Sequence, residues 1–317
     1  MINKFKNQFA NWRTNLKKSL SQTSRITSLL MVTAACLLVI TRFGSLGVVP
    51  PGSADYFLLR LLTAGASILS VILTILIIYK LTHEKKLALL TGFFLAISPW
   101  YIEQSRIYSP VLLGLTVLQS GVYAATYTKK QVLRLIIAGV SGILFFVVYP
   151  SFWLFQGAGF SPTPGDFLHN LFKLTSVDFL FYHNDSFWAG GFRTQGALLI
   201  SCLPLFIAGS LSLLKNSKVS DLRLLIPFII FWLLAASNPL FPEQREFFLV
   251  LPYVALILAF GTMFLLEKFK SQGLVVKTIL TAFVFFFLYE HVLFFHWYTV
   301  HYSQRIKNER SYEMEKF

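Results

Sequence analysis

The chain has 317 residues, of which 55% are hydrophobic and 13% charged, and its mean hydropathy is +0.63. So low a charge density excludes an ordinary water-soluble domain, and the apolar excess recurs as stretches near the length that crosses a hydrocarbon layer of about 30 Å. The formal net charge of +14 does not argue for nucleic acid, because the basic residues gather in alternate loops, where they mark topology.

Residues 1–25 read as a basic amphipathic leader resting on anionic lipid. Nine spans follow: Ile26 to Phe43, Tyr56 to Tyr79, Leu87 to Trp100, Pro110 to Tyr127, Val132 to Tyr149, Gln195 to Leu214, Leu224 to Leu240, Phe247 to Leu266 and Thr278 to Tyr298. The third is short, and either carries on through Trp100 and Tyr101 or ends where protein covers it. Thr33-Ala34-Ala35-Cys36 faintly resembles a lipoprotein cleavage site, but the apolar run continues past Cys36, so the first span is read as retained. Eighteen Lys and Arg lie on one side of the spans with only Glu84, Asp221 and Glu267, against ten basic and eleven acidic residues opposite. The expectation is an all-α, polytopic integral membrane helical bundle of about nine transmembrane helices, N-terminus inside and C-terminus outside. The membrane domain is 26–298, with an outer polar tail over 299–317.

The loops on the basic side are short and Lys-rich, which suits turns. The outer side carries the longer segments, above all 150–194. There Gly157, Gly159, Pro162, Pro164 and Gly165 break regular structure, and "DFLHNLFKLTSVDFLFY" then reads as an amphipathic helix. Phe167, Leu168, Leu171, Phe172 and Leu174 are expected on the membrane surface, with Asp166 and Lys173 facing up; alternatively the loop merely plugs the bundle. Between the third and fourth spans, Glu103 and Arg106 are expected in a tight outer turn. Ser109-Pro110 closes that turn, the serine oxygen capping the fourth span and the proline taking its first position.

Lysine and arginine are unevenly divided. The inner side has 14 Lys and 4 Arg, whereas Arg42, Arg60, Arg106, Arg193 and Arg245 lie outside, up to Glu246, with only Lys173. A guanidinium that stays charged and grips oxyanions with paired hydrogen bonds suits a phosphate site at a membrane interface. Arg60 is the most pointed case, about one turn into an apolar span, where it must pair or snorkel. Outer carboxylates that could act as a base are few. Asp55 is the single acid of the first outer loop and could equally cap the second span, Glu103 stands alone in the second loop, and Glu243 and Glu246 flank Arg245 as natural pairing partners.

Other chemistries find little support. His291, His296 and His301 recur every five residues, a step about 140° off a single helical face, so they do not converge on a metal as an i, i+4 pair does. Cys36 and Cys202 both fall inside spans and form no disulfide framework. Asn184-Asp185-Ser186 is a glycosylation sequon that matters only in a eukaryotic host. No acid lies deep in a span, Glu290 being toward the outer end of the ninth, which argues against a proton-coupled transporter.

The stretch "AISPWYIEQSRIYSP" resembles the second outer loop of GT-C type polyprenyl-phosphate-dependent glycosyltransferases, relatives of the protein mannosyltransferases and the lipid A aminoarabinose transferases. The turn there often reads Ser-Pro-Trp-His and then Ser-Arg, matched here by Ser98, Pro99, Trp100, Ser105 and Arg106, with Tyr101 where histidine is common. "DYFLLRLLTAGASILSVILTILIIYKL" resembles the family's arginine-bearing second span and "GGFRTQGALLISCLPLFIAGSLSLL" its Arg-then-Gly approach to a Leu-Pro helix. "PEQREFFLVLPYVALILAFG" resembles its arginine before another Leu-Pro helix, and "HWYTVHY" the aromatic end of its last span.

The resemblance implies transfer of a hexosyl or pentosyl group from a polyprenyl-phosphate donor to a glycan, lipid or protein acceptor at the outer face, with membrane lipids as surroundings and no nucleic acid. It implies Asp55, and second Glu103, as the base, and Arg60, Arg106, Arg193 and Arg245 as the donor-phosphate site. It implies no cofactor besides the lipid-linked donor; a divalent metal would be compatible, although no spacing argues for one. The implied location is a bacterial plasma membrane with the active side outside. The chain departs from the pattern in its first outer loop, which is shortened to Arg42–Asp55 and carries one acid in place of an acidic pair, and Pro110 stands where an acid often follows the second-loop arginine. The alternative is therefore a non-catalytic GT-C-derived protein that binds or translocates lipid-linked saccharide or supports another transferase.

Overall fold

The computed structural model describes residues 54–105, 109–149, 163–182, 196, 198–216, 226–236, 245–271 and 273–300, some helix-end residues by backbone alone. The expected leader, first span, most of the first outer loop and the polar tail lie outside the described residues. Within them the secondary structure is helical throughout: α1 Ala54–Thr82, α2 Lys85–Ile97, α3 Pro99–Gln104, α4 Pro110–Tyr127, α5 Gln131–Val148, α6 Pro164–Thr175, α7 Cys202–Asn216, α8 Ile226–Ala236, α9 Leu251–Ser271 and α10 Leu274–Val300. A π-helical turn, Asp178–Tyr182, follows α6, and a 3₁₀ turn, Arg245–Val250, leads into α9. Among the described residues four segments are long and apolar enough to cross a membrane, Leu58–Thr82, Gln131–Val148, Phe248–Phe269 and Leu274–Tyr298. The protein is an all-α, membrane-embedded helical bundle.

Neighbouring helices follow one another in the order α5, α4, α1, α2, α9, α7, with α10 against α9. A two-residue link joins α1 to α2. His83 takes a left-handed backbone, φ 57°, donates its N–H to the Tyr79 carbonyl at 2.8 Å and so closes the last turn of α1. Lipid tails are as apolar as leucine, so helices in a bilayer adhere through close packing and hydrogen bonds. Both devices are present. Gly209 of α7 lies against the backbone carbonyl of Ile257 in α9, and Gly261 of α9 against that of Leu205 in α7, so two helix backbones meet where any side chain would hold them apart.

The hydrogen-bonded device joins α1 to α4. Thr63, Ser67, Ser70 and Thr74 line one buried face of α1. Thr63, Ser67 and Thr74 return their hydroxyl protons to carbonyls three or four residues back in their own helix. Thr116 of α4 reaches the Ala66 carbonyl at 3.1 Å, and Gln119 donates to Thr74 Oγ1 at 2.9 Å. Register between the two helices is thereby set through the thickness of the bundle. By contrast α5 and α10 turn most of their apolar surface outward, with Val132, Ile143, Val147, Phe285 and Val292 exposed, as suits lipid-facing helices.

The expected third span does both things anticipated of it. Proline cannot donate to the Leu95 carbonyl, and the preceding Ser98 is pushed to an extended conformation, so α2 stops at Ile97. The chain then resumes as α3, and Trp100, Tyr101 and Ile102 are buried. Glu103 thus lies on a short helix rather than in a tight turn. The Ser109 oxygen does not cap α4 as expected; its hydroxyl donates to Gln104 Oε1 at 2.8 Å, although Pro110 does take the first helical position.

The expected amphipathic helix is shorter than its sequence pattern. α6 ends at Thr175, and Phe179, Leu180 and Phe181 of the π-helical turn are buried. Its apolar residues also divide into two stripes. Phe167, Leu171 and Leu174, spaced i, i+4, i+7, pack on the core, while Leu168 and Phe172 remain exposed. The expectation that all five lie on the membrane surface fails for Phe167, Leu171 and Leu174, because Asn170 on the protein side ties α6 to the bundle by donating to the Ala236 carbonyl at the end of α8, 3.1 Å away. The N-terminus of α6 carries a capping box: Asp166 N–H donates to Thr163 Oγ1 at 3.2 Å, and the Thr163 hydroxyl and N–H donate to Asp166 Oδ2 at 2.7 and 3.1 Å.

Two outcomes follow from this packing. Gly261→Ala forces a methyl group into the Leu205 carbonyl and should cost about 1–3 kcal/mol, read as a fall in Tm in detergent, whereas Gly139→Ala in α5, where nothing stands within 4 Å, should be neutral or mildly stabilising. The side-chain and then the backbone hydrogen bonds of Thr163, with His169 nearby, hold the Asp166 carboxyl below its ordinary pKa. The anchoring it lends α6 is then full above the ordinary carboxylate range and is lost as pH falls through the lowered pKa. The protection factors of the α6 amides, corrected for the intrinsic exchange rate at each pH, should fall on acidification, and Asp166→Ala should abolish that fall.

Candidate functional site

The helix break at Pro99 directs three consecutive bulky side chains of α3 toward different partners. Trp100 meets Phe179 of the π-helical turn edge-on, with ring centres 5.7 Å apart. Tyr101 stacks on Phe248 of the 3₁₀ turn at 5.6 Å and donates its hydroxyl to the Ser67 carbonyl of α1 at 2.5 Å. Ile102 packs in a separate small cluster with Leu199, Phe294 and Tyr298, which brings in the end of α10. One six-residue helix thus gathers α1, the π-helical turn, the segment before α7, the 3₁₀ turn and α10 at one end of the bundle.

Two of those elements carry candidate arginines, Arg60 in α1 and Arg245 in the 3₁₀ turn, and Arg106 and Arg193 follow in sequence shortly after α3 and shortly before Gly196. Arg60 lies one turn before Thr63 and two before Ser67 on the same face of α1. It is 7% exposed, whereas Leu58, Leu61 and Leu62 around it are 57%, 49% and 60% exposed. The guanidinium therefore faces protein, and the snorkelling alternative fails for it. Arg106, outside the described residues, is bracketed by Ser105 and Ser109. Both serines are buried; the Ser105 hydroxyl bonds the Ile102 carbonyl at 2.7 Å, and the Ser109 N–H points to Thr63 Oγ1 at 3.4 Å. Arg193 also lies outside, three residues before Gly196. Gly196 abuts the backbone of Leu180 and Phe181, and Leu198 donates its N–H to the Leu180 carbonyl at 2.9 Å. Arg245 contributes its backbone to the 3₁₀ turn, three residues before Phe248. The backbone of Asp55 takes the first turn of α1 and that of Glu103 belongs to α3; the side chains of Arg245, Asp55 and Glu103 lie outside the described residues.

Glu290 has a part in this assembly that the sequence reading did not assign. From α10 its two carboxylate oxygens accept the Ile200 N–H at 3.0 Å and the Ser201 N–H at 2.7 Å, the free amides at the start of α7. A helix start in an apolar setting needs acceptors, and a carboxylate there is also favoured by the helix dipole. The signal was present in the sequence: Glu290 is the lone acid of the last span, and a lone acid among Phe, Leu and Tyr must find donors. Among the described residues no three His, Cys, Asp or Glu side chains group as metal ligands.

The clamp is testable. Glu290→Ala should lower stability by about 2–3 kcal/mol, since two charge-assisted hydrogen bonds are lost and two amides left without an acceptor. Glu290→Gln, which keeps one acceptor oxygen, should lose less, as measured by thermal unfolding of the purified protein.

Comparison with known proteins bears on the same end of the bundle. The family described as dolichyl-phosphate-mannose-protein mannosyltransferase matches residues 41–144 of the 317. The matched stretch takes in α1 to α4 and most of α5, with Asp55, Arg60, Glu103 and Arg106 inside it and Arg193, Arg245 and Glu290 beyond it. No curated protein and no solved structure matches the chain. The likeness stands at the level of the GT-C superfamily: this is a GT-C-like membrane protein.

Proposed function

We propose that the protein is a membrane glycosyltransferase that takes a sugar from a polyprenyl-phosphate donor and passes it to an acceptor hydroxyl at the outer face of the membrane. Arg60, Arg106, Arg193 and Arg245 bind the donor phosphate, which departs as the leaving group. Asp55, or failing it Glu103, removes the acceptor proton as the bond from the acceptor oxygen to the anomeric carbon forms and the bond from that carbon to the phosphate oxygen breaks. The reading rests chiefly on the buried, protein-facing Arg60 in a span whose neighbours are exposed leucines. A guanidinium has five N–H donors in a planar fork, so one held against protein near the membrane surface can also grip the phosphate of a lipid headgroup. The likeness of residues 41–144 to the mannosyltransferase family supports the same chemistry.

The shortened first outer loop with its single acid supports a second reading, in which the chain binds or moves a lipid-linked saccharide without transferring the sugar. Proteoliposomes supplied with lipid-linked sugar separate the two. Under the transferase reading Asp55→Asn abolishes sugar release and leaves donor binding intact, while Arg60→Gln weakens transfer by about a hundredfold or more. If the wild type binds donor but releases no sugar with any acceptor, and Asp55→Asn changes nothing, the binding reading replaces the enzyme.

A further inference from the structure

At the opposite end of the bundle the closing turns of α1 and α4 and the first turns of α5 enclose a cavity of about 540 Å³, within the range of ligand sites. Its walls include Leu118, Val122, Ala138 and Ser141, and its mouth has Lys80 and Arg134. Gly121 in the floor lies against Ser141, which brings α4 and α5 together at depth and leaves them apart above. Leu81 and Val122 at the rim are exposed, so the groove opens toward lipid.

The two cations are held in place by contacts that leave their charge unneutralised. Lys80 Nζ stands 4.7 Å from the centre of the Tyr127 ring, and Arg134 Nε donates to the Thr128 carbonyl at 2.5 Å. Lys130 occupies the N-cap of α5 and gives its first amides no side-chain acceptor, and no acid occupies that first turn. An apolar slot about two turns deep, topped by two cations and an uncapped helix start, matches a molecule with an anionic head and an apolar tail. The basic character of this end makes it the cytoplasmic leaflet.

We propose that this groove is a binding site for an anionic phospholipid of the cytoplasmic leaflet, its phosphate between Lys80 and Arg134 and one acyl chain along the α4–α5 slot. The site is separate from the donor end and does not depend on the transferase reading.

Native mass spectrometry of the full-length protein in neutral detergent tests it, with phosphatidylglycerol and a phosphatidylcholine of the same chains as probes. Phosphatidylglycerol should bind more tightly. Lys80→Gln, which leaves the α4–α5 turn intact, should weaken its binding by about fivefold, and Lys80→Gln with Arg134→Gln by about 25-fold, one factor per cation at a lipid surface. Phosphatidylcholine binding should weaken by a smaller factor in these variants, because its choline cation offsets the charge of the same phosphate. Ala138→Phe, which fills the slot, should displace both lipids, and Lys215→Gln, a cation elsewhere on the basic side, should alter neither. Equal affinity for the two lipids, equal losses from Lys215→Gln and Lys80→Gln, or undiminished binding in Ala138→Phe each overturns the proposal.

Discussion

One end of this bundle is organised by the inability of Pro99 to donate a backbone hydrogen bond. In lipid an interrupted helix is tolerated only where protein covers the break. The chain meets that requirement by turning Trp100, Tyr101 and Ile102 outward from α3 as three anchors, each buried against a different element. Without the break a straight helix would carry those side chains around its own axis and onward, and the π-helical turn, the 3₁₀ turn and the end of α10 would have no common neighbour. Glu290 completes the arrangement by satisfying the start of α7, the second discontinuity exposed at that end.

The proposed phosphate site and the structural cover are thus drawn from the same stretch. Arg60 is held on the α1 face that also contacts Tyr101 and Ser109, and Arg245 belongs to the 3₁₀ turn that Tyr101 reaches through Phe248. The family likeness spans the first of these segments and stops before the later ones. The matched stretch and the rest of the chain meet physically where Tyr101 stacks on Phe248.

Much of the architecture was legible in the amino-acid order because membrane spans are written as uninterrupted apolar runs, and the ends of α4 and α10 fall close to where those runs end. The details that escaped depend on partners far away in sequence. α6 was read too long because Phe179, Leu180 and Phe181 continue an apolar period that tertiary contact with Trp100 and the Gly196 segment diverts into a π-helical turn. The Ser109 oxygen was given a capping role by its position before proline, whereas Gln104 five residues back competes for it. Glu290 drew no assignment because its two donors stand about ninety residues away. Arg60 was legible as anomalous, but only the exposure of Leu58, Leu61 and Leu62 discloses which side of the helix it occupies.

The hydroxyl-lined face of α1 has a consequence for how the chain enters the bilayer. Thr63, Ser67 and Thr74 satisfy their protons within their own helix, so α1 needs no companion to be tolerated by hydrocarbon at those positions. Those three rungs therefore make no demand on α4 before it has been synthesised. Later, Thr116 and Gln119 supply their own donors to acceptors already on display, the Ala66 carbonyl and Thr74 Oγ1. Assembly of this pair is then a matter of lateral meeting between finished segments, with the rung spacing along α1 acting as the ruler that stops the second rod at the correct height.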